Sequence, residues 1–158
     1  GAVMAIPIKR IEFFVPGIPK AQPKHLGQAR VYEAGTAEAW KGAVALAAKP
    51  HLPKTPLTGP LMVSLIFCMP RPKSHYRTGK YSGEVKPDAP DWHTCKPDRD
   101  NLEKAVLDVL TRIGMWKDDG QVCDGSVTKI YGFPPGLLIT IRMTRSSAPV
   151  TCRMDSGY

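Results

Sequence analysis

The chain predicts an α+β fold, a mixed β-sheet of about four strands packed against two helices in the order β-α-β-α-β-β. Three observations carry that expectation. Two stretches place apolar residues at helical spacing, a nearly continuous apolar run separates them, and β-branched or aromatic segments stand near both ends. At 158 residues the chain is long enough to bury an ordinary core. Residues 5–143 are expected to form one domain, followed by a polar C-terminal tail over 144–158.

Ile6 to Val15 is rich in β-branched and aromatic residues and reads as the first strand, ended by Pro16-Gly17. The basic loop that follows holds Lys20, Lys24 and Arg30 among prolines and glycines. Thr36 is a suitable N-cap for the first helix, whose Trp40, Val44 and Ala47 or Ala48 share one face. Pro50, Pro53 and Pro56 stop it. Leu61 to Met69 has no helix start signal, and its length favours a central strand buried on both faces. Val122 to Gly132 and Leu137 to Met143 read as two strands joined in a hairpin through Phe133-Pro134-Pro135-Gly136.

Residues 71–95 lack periodicity, and a loop of that length is functional or disordered. Arg71, Lys73, Arg77 and Lys80 alternate there with His75, Tyr76 and Tyr81, a mixture suited to phosphates and unpaired bases. A solvated excursion of ordinary composition is the plain alternative. The net charge of +8 lies wholly in residues 1–97, which hold 14 Lys/Arg against 6 Asp/Glu. That asymmetry suits a polyanionic partner approaching one surface.

Several classes are excluded on composition. No apolar run reaches membrane-spanning length, and no secretory leader is recognisable, so a cytoplasmic location is expected. Cys68, Cys95, Cys123 and Cys152 are too scattered for a disulfide framework. His75, His93 and Cys95 lack the second closely spaced pair that a zinc site needs.

The chemistry concentrates in Lys96 to Asp119. Leu102, Ala105, Val106, Val109, Leu110 and Ile113 define one buried stripe of a helix capped by Asp100 and closed by Gly114. Lys104 lies four residues from Asp100 and can reach its carboxylate, with Asp108 flanking them on the polar face. Asp98 and Asp100 leave the same side of the entering segment if it is extended. Paired carboxylates repel unless a cation neutralises them, and hard oxygens suit Mg²⁺ or Mn²⁺. Asp118 and Asp119 stand past the helix, about 20 Å on, and join the first pair only if the chain turns back, with Trp116 as an anchor. On residue chemistry alone, Asp100 is equally a cap, Lys104 a solvated lysine and Asp118-Asp119 a turn.

Lys96-Pro97-Asp98-Arg99-Asp100-Asn101-Leu102-Glu103-Lys104, then Asp108, then Trp116-Lys117-Asp118-Asp119-Gly120-Gln121-Val122, closely resembles the RusA family of Holliday junction resolvases. Outside this stretch the resemblance is looser, covering most of Ile6 to Met143 in outline. It implies a homodimeric, Mg²⁺-dependent crossover junction endodeoxyribonuclease, at work in DNA recombination and repair in a bacterial host or phage-infected cell. Such an enzyme nicks four-way DNA junctions symmetrically and needs no nucleotide cofactor. The family's essential aspartates fall on Asp98, Asp100 and Asp119, its functional lysine on Lys104, and supporting positions on Asp118 and Asp108. Lys20, Lys24, Arg30, Arg71, Lys73, Arg77 and Lys96 are the expected DNA-binding cations. The chain departs from the pattern in a basic loop poor in arginine and in the long 71–95 excursion, both bearing on DNA grip. A branched-DNA-binding protein that does not cleave, or a flap or branch nuclease of broader taste, are the alternatives.

Overall fold

The computed structural model describes residues 10–22 and 31–144, with backbone alone for 31–36. In β1 (Arg10–Pro16), Ile11, Phe13 and Val15 are buried while their neighbours are exposed, the alternation of a half-buried strand. Ile6 to Lys9, the expected start of this strand, lie outside the described residues, as do Lys24, Arg30, Cys152 and nearly all of the tail.

Helix α1 (Val31–Ala48) begins upstream of Thr36, which is therefore inside the helix and not its cap. Once a helix is nucleated each further residue adds a bond, and that gain carries it through Gly35 and Thr36. Ala37, Trp40, Val44 and Ala48 make its buried stripe. A 3-10 turn over Lys49–His51, with Pro50 inside it, ends the run.

Strand β2 (Leu61–Met69) is central, as expected, but it is not buried on both faces. Its odd-numbered residues from Leu61 to Met69 face the core, whereas Ile66 is 37% exposed. The reason is that α1 and α2 (Arg99–Arg112) both pack on one side of the sheet.

The sheet has five strands, one more than expected. The segment after Val122 breaks into β3 (Val122–Asp124) and β4 (Val127–Tyr131) because Gly125 turns at φ 131, where its backbone crowds the Val63 carbonyl. Both short strands run parallel to β2. Strand β5 (Gly136–Met143) runs antiparallel to β2 on its other side and pairs with β1. The expected hairpin is therefore absent: β4 and β5 flank β2 from opposite sides. Residues 132–135 cross the end of β2, with Gly132 N donating to Met69 O at 3.1 Å. Parallel pairing needs a crossover, and α2 supplies it between β2 and β3.

Residues 71–95 are folded onto the sheet edge. Arg77 N donates to Glu84 O at 2.8 Å and Lys86 N to His75 O at 2.8 Å, closing the excursion on itself. It returns beside β4, where Tyr131 N donates to Asp91 O (2.8 Å), His93 N donates to Lys129 O (3.2 Å), and Trp92 pairs with Ile130. The long excursion thus adds a short edge pairing and delivers the chain to Lys96.

Candidate active site

Helix α2 forms because Leu102, Ala105, Val106, Val109 and Leu110 are buried in one stripe beneath α1 and the sheet. Each of these Leu and Val side chains contributes about 1.5–3 kcal/mol on burial, which fixes the rotation of the helix and turns Asp100, Lys104 and Asp108 away from the core. The helix starts two residues earlier than a cap at Asp100 requires. Asp98 occupies the N-cap position with extended backbone, and Asp100 lies in the first turn. The two therefore do not share an extended segment.

The Asp98 carboxylate does not cap. Its Oδ2 accepts from Lys96 Nζ at 3.1 Å, an ion pair that is largely solvated. Such a pair is worth about 0–1 kcal/mol, so an incoming charge displaces it cheaply. Asp100 Oδ1 accepts from Asn101 N at 2.9 Å. The expected Asp100–Lys104 contact does not form among the described residues; a solvated pair on this face gains little over water.

Gly114 closes the helix at φ 90, and the chain does turn back. Trp116, 1% exposed, is the anchor, bridging to Leu57 and donating Nε1–H to Thr111 Oγ1 at 2.7 Å. A 3-10 turn (Asp119–Gln121) follows and packs against α2. Asp118 caps it, its Oδ1 accepting from Gly120 N at 2.9 Å, while Gln121 Oε1 accepts from Asp118 N at 3.0 Å. Gln121 Nε2 donates to Leu57 O (2.9 Å) and Gly59 O (3.0 Å), pinning the turn to the segment before β2. Asp118 is thus occupied in structure, whereas the exposed Asp119 carboxylate has no hydrogen-bond partner among the described residues.

Asp98 opens onto a cleft of about 790 Å³ with Lys96, Lys20, His93, Asn101 and Met69 among its lining residues. Lys20 reaches it because the loop after β1 is tied to α2 through Gln22 N donating to Asn101 O at 3.2 Å. The fold therefore brings one predicted acid and two predicted cations into one cleft. Asp119 lies on its own turn, anchored near the opposite end of β2.

Among the described residues, no group of three or more His, Cys, Asp or Glu side chains is close enough to hold a metal ion. That excludes a closed protein cage, such as structural zinc requires, in this conformation. The expectation that the turn after α2 joins Asp98, Asp100 and Asp119 in one ligand set is therefore not met in this arrangement. Mg²⁺ commonly keeps several waters and takes one or two carboxylates together with substrate phosphates. Asp98, Asp100 and Asp119 offer the hard oxygens it prefers, all at least partly exposed.

The expected cations divide. Lys73 and Lys96 are exposed. Arg71 is already engaged: its side chain is 10% exposed, donates to Pro90 O at 2.8 Å and lies over the Tyr131 ring. It is spent on holding the excursion to β4. Arg77 pairs with Glu84 at 2.7 Å and covers Tyr81. His75 and His93 meet Tyr131 edge-on, and Cys95 Sγ lies 3.7 Å from the Tyr131 hydroxyl, so these three form an aromatic-centred cluster.

Sequence reading missed Lys129. It shares the core-facing phase of β4 with Val127 and Tyr131, and its ammonium donates to Cys95 O and Pro97 O, each at 2.7 Å. The available signal was a lone cation at an apolar phase of a strand.

A family model described as Endodeoxyribonuclease RusA matches residues 15–142. The protein YqaN of Bacillus subtilis (strain 168) is 34% identical over 142 residues, covering 84% of this chain and 95% of that protein. The crossover junction endodeoxyribonuclease RusA of Escherichia coli (strain K12) is 54% identical over 33 residues, 21% of this chain and 28% of that protein. That of Escherichia coli O139:H28 is 50% identical over 36 residues, 23% of this chain and 30% of that protein.

Proposed function

The chain belongs to the endodeoxyribonuclease RusA family, and from that premise we propose that it resolves four-way DNA junctions by paired, symmetric, Mg²⁺-dependent nicks. The observation that carries the reading is the cleft in which Asp98 stands beside Lys20 and Lys96. An acidic centre alone repels DNA, so affinity has to come from cations placed next to it. Lys20 and Lys96 supply them at the cleft, and the exposed Lys73 extends the charge along the folded excursion.

Asp98 and Asp100 would hold the ion at the first turn of α2, and Asp119 would join them only if its turn closes toward that end of the helix. Once bound there, Mg²⁺ would supply an activated water and neutralise charge at the leaving 3′ oxygen. Lys96 releases Asp98 and turns to a phosphate as DNA enters, exchanging one solvated partner for another. Lys104, exposed one turn beyond Asp100, contacts the phosphate next to the cut.

Paired nicks call for two copies of the site related by two-fold symmetry. Among the described residues the sheet face opposite α1 and α2 carries no helix and holds Phe14, Leu138 and Ile66 in adjacent register. Phe14 is 41% exposed. That apolar row is the surface for a second copy of this chain.

Purified protein is expected to nick a synthetic four-way junction with Mg²⁺, and Asp100→Asn to bind it without cutting. Salt-sensitive binding with no cleavage in Mg²⁺ or Mn²⁺ supports a non-cleaving branch-binding protein instead. Equal rates on Y-shaped DNA and on four-way junctions point to a nuclease of broader taste.

A further inference from the structure

We propose that Lys129 is a positioning residue for the nuclease centre, fixing the backbone that presents Asp98 to the cleft. Lys129 lies on β4 opposite Phe67 of β2. This is the sheet face covered by the helices, where a charged side chain costs desolvation unless it finds acceptors. It finds two. Its ammonium donates to Cys95 O and to Pro97 O at 2.7 Å each, and its own carbonyl accepts from His93 N at 3.2 Å. One residue therefore grips the 93–97 segment at three points, the last of them one peptide before Asp98.

Packing alone does not account for this choice. Val127 and Tyr131 take the neighbouring inward positions of β4, and an apolar side chain between them would fill the same space without a charge to satisfy. The two carbonyls belong to a segment with little other support: Cys95 and Lys96 are exposed, and among the described residues the Asp98 carboxylate is held only by the exposed Lys96. Charge-assisted bonds to both carbonyls are the strongest restraint on this stretch. A ligand carboxylate depends on the groups that orient it, and loss of such support commonly costs 10–100-fold in metal affinity or activity.

The inference rests on the metal-dependent nuclease reading, and the test separates the two. Lys129→Met and Lys129→Arg are compared with the wild type as full chains. Four quantities are followed: Mn²⁺ binding by electron paramagnetic resonance, junction affinity without metal, the single-turnover cleavage rate, and amide exchange over residues 93–98. The Met variant is expected to lose Mn²⁺ affinity and cleavage rate by about tenfold or more, with faster exchange at 93–98 and junction affinity within about threefold of wild type. The Arg variant, which keeps the donors, recovers much of both. Unchanged Mn²⁺ affinity and exchange in the Met variant overturn the proposal. So does a loss of junction affinity and melting temperature in step with the rate, which marks a merely structural role. Absence of Mn²⁺ binding in the wild type defeats the metal reading, while the exchange measurement still decides whether Lys129 holds the segment.

Discussion

Trp116 donates its indole N–H to Thr111 Oγ1 across 2.7 Å, and Thr111 Oγ1 donates onward to Leu107 O at 2.8 Å. The chain leaving α2 is thereby sewn to the helix's own last turn, and the returning acids inherit that placement. Trp116→Ala is expected to destabilise the fold by about 3–5 kcal/mol, the range for removing a large buried aromatic. Thr111→Val, which keeps the shape and leaves the indole N–H unpaired, costs about 1–3 kcal/mol. Urea titrations check both; a Trp116→Ala loss below 1 kcal/mol contradicts the anchor.

Gly125 stands at φ 131 with its backbone against the Val63 carbonyl, where a Cβ has no room. Gly125→Ala should cost about 1–3 kcal/mol from crowding alone, with backbone strain in addition. The same denaturant titration reads it. Wild-type stability in this variant would mean that β3 and β4 are not divided at this residue.

How much of this was legible beforehand follows the range of each interaction. The α2 stripe, the Gly114 closure, the Trp116 anchor and the central place of Leu61–Met69 depend on local spacing, and they are as expected. Which strand lies beside which does not depend on local spacing. Val122–Gly132 and Leu137–Met143 look like hairpin arms, yet β2 separates them, because an alternating strand carries no mark of its neighbour. Two-faced burial of β2 failed for a related reason: its apolar run does not reveal that both helices choose one side. That Arg71 packs over Tyr131 was not legible, because composition cannot tell a free guanidinium from a packed one. Lys129 was missed because its partners are main-chain carbonyls, which every residue has.

His93 is buried against Tyr131, and burial first and the Lys129 charge second hold its imidazole below the ordinary value of 6.5. The unfolded chain therefore takes up a proton near the ordinary pKa that the folded chain still refuses. From this residue stability is full above that pKa and falls as pH drops toward the lower folded one. An NMR titration of His93 should give a pKa below 6.5, and Lys129→Met should raise it by removing the repulsion. A value at or above the ordinary one contradicts the burial argument.

The exposed Phe14 and Ile66 and the half-buried Leu138 form an apolar row on a sheet face that carries no helix among the described residues. Ile66→Glu is expected to shift sedimentation at micromolar concentration from dimer to monomer while changing stability by less than about 1 kcal/mol, as for a solvent-facing position. A wild-type protein that sediments as a monomer, with or without junction DNA, removes the paired-nick account.

The central claim is that the aspartates at the two ends of α2 serve one phosphodiester cleavage. The measurement that tests it most directly is cleavage of a synthetic four-way junction in Mg²⁺ by wild type and by Asp98→Asn, Asp100→Asn and Asp119→Asn. The account predicts paired, symmetric nicks by the wild type, a loss of roughly 10²-fold or more in each variant, and retained junction binding in all three. Cleavage at the wild-type rate by any of the three variants would contradict it.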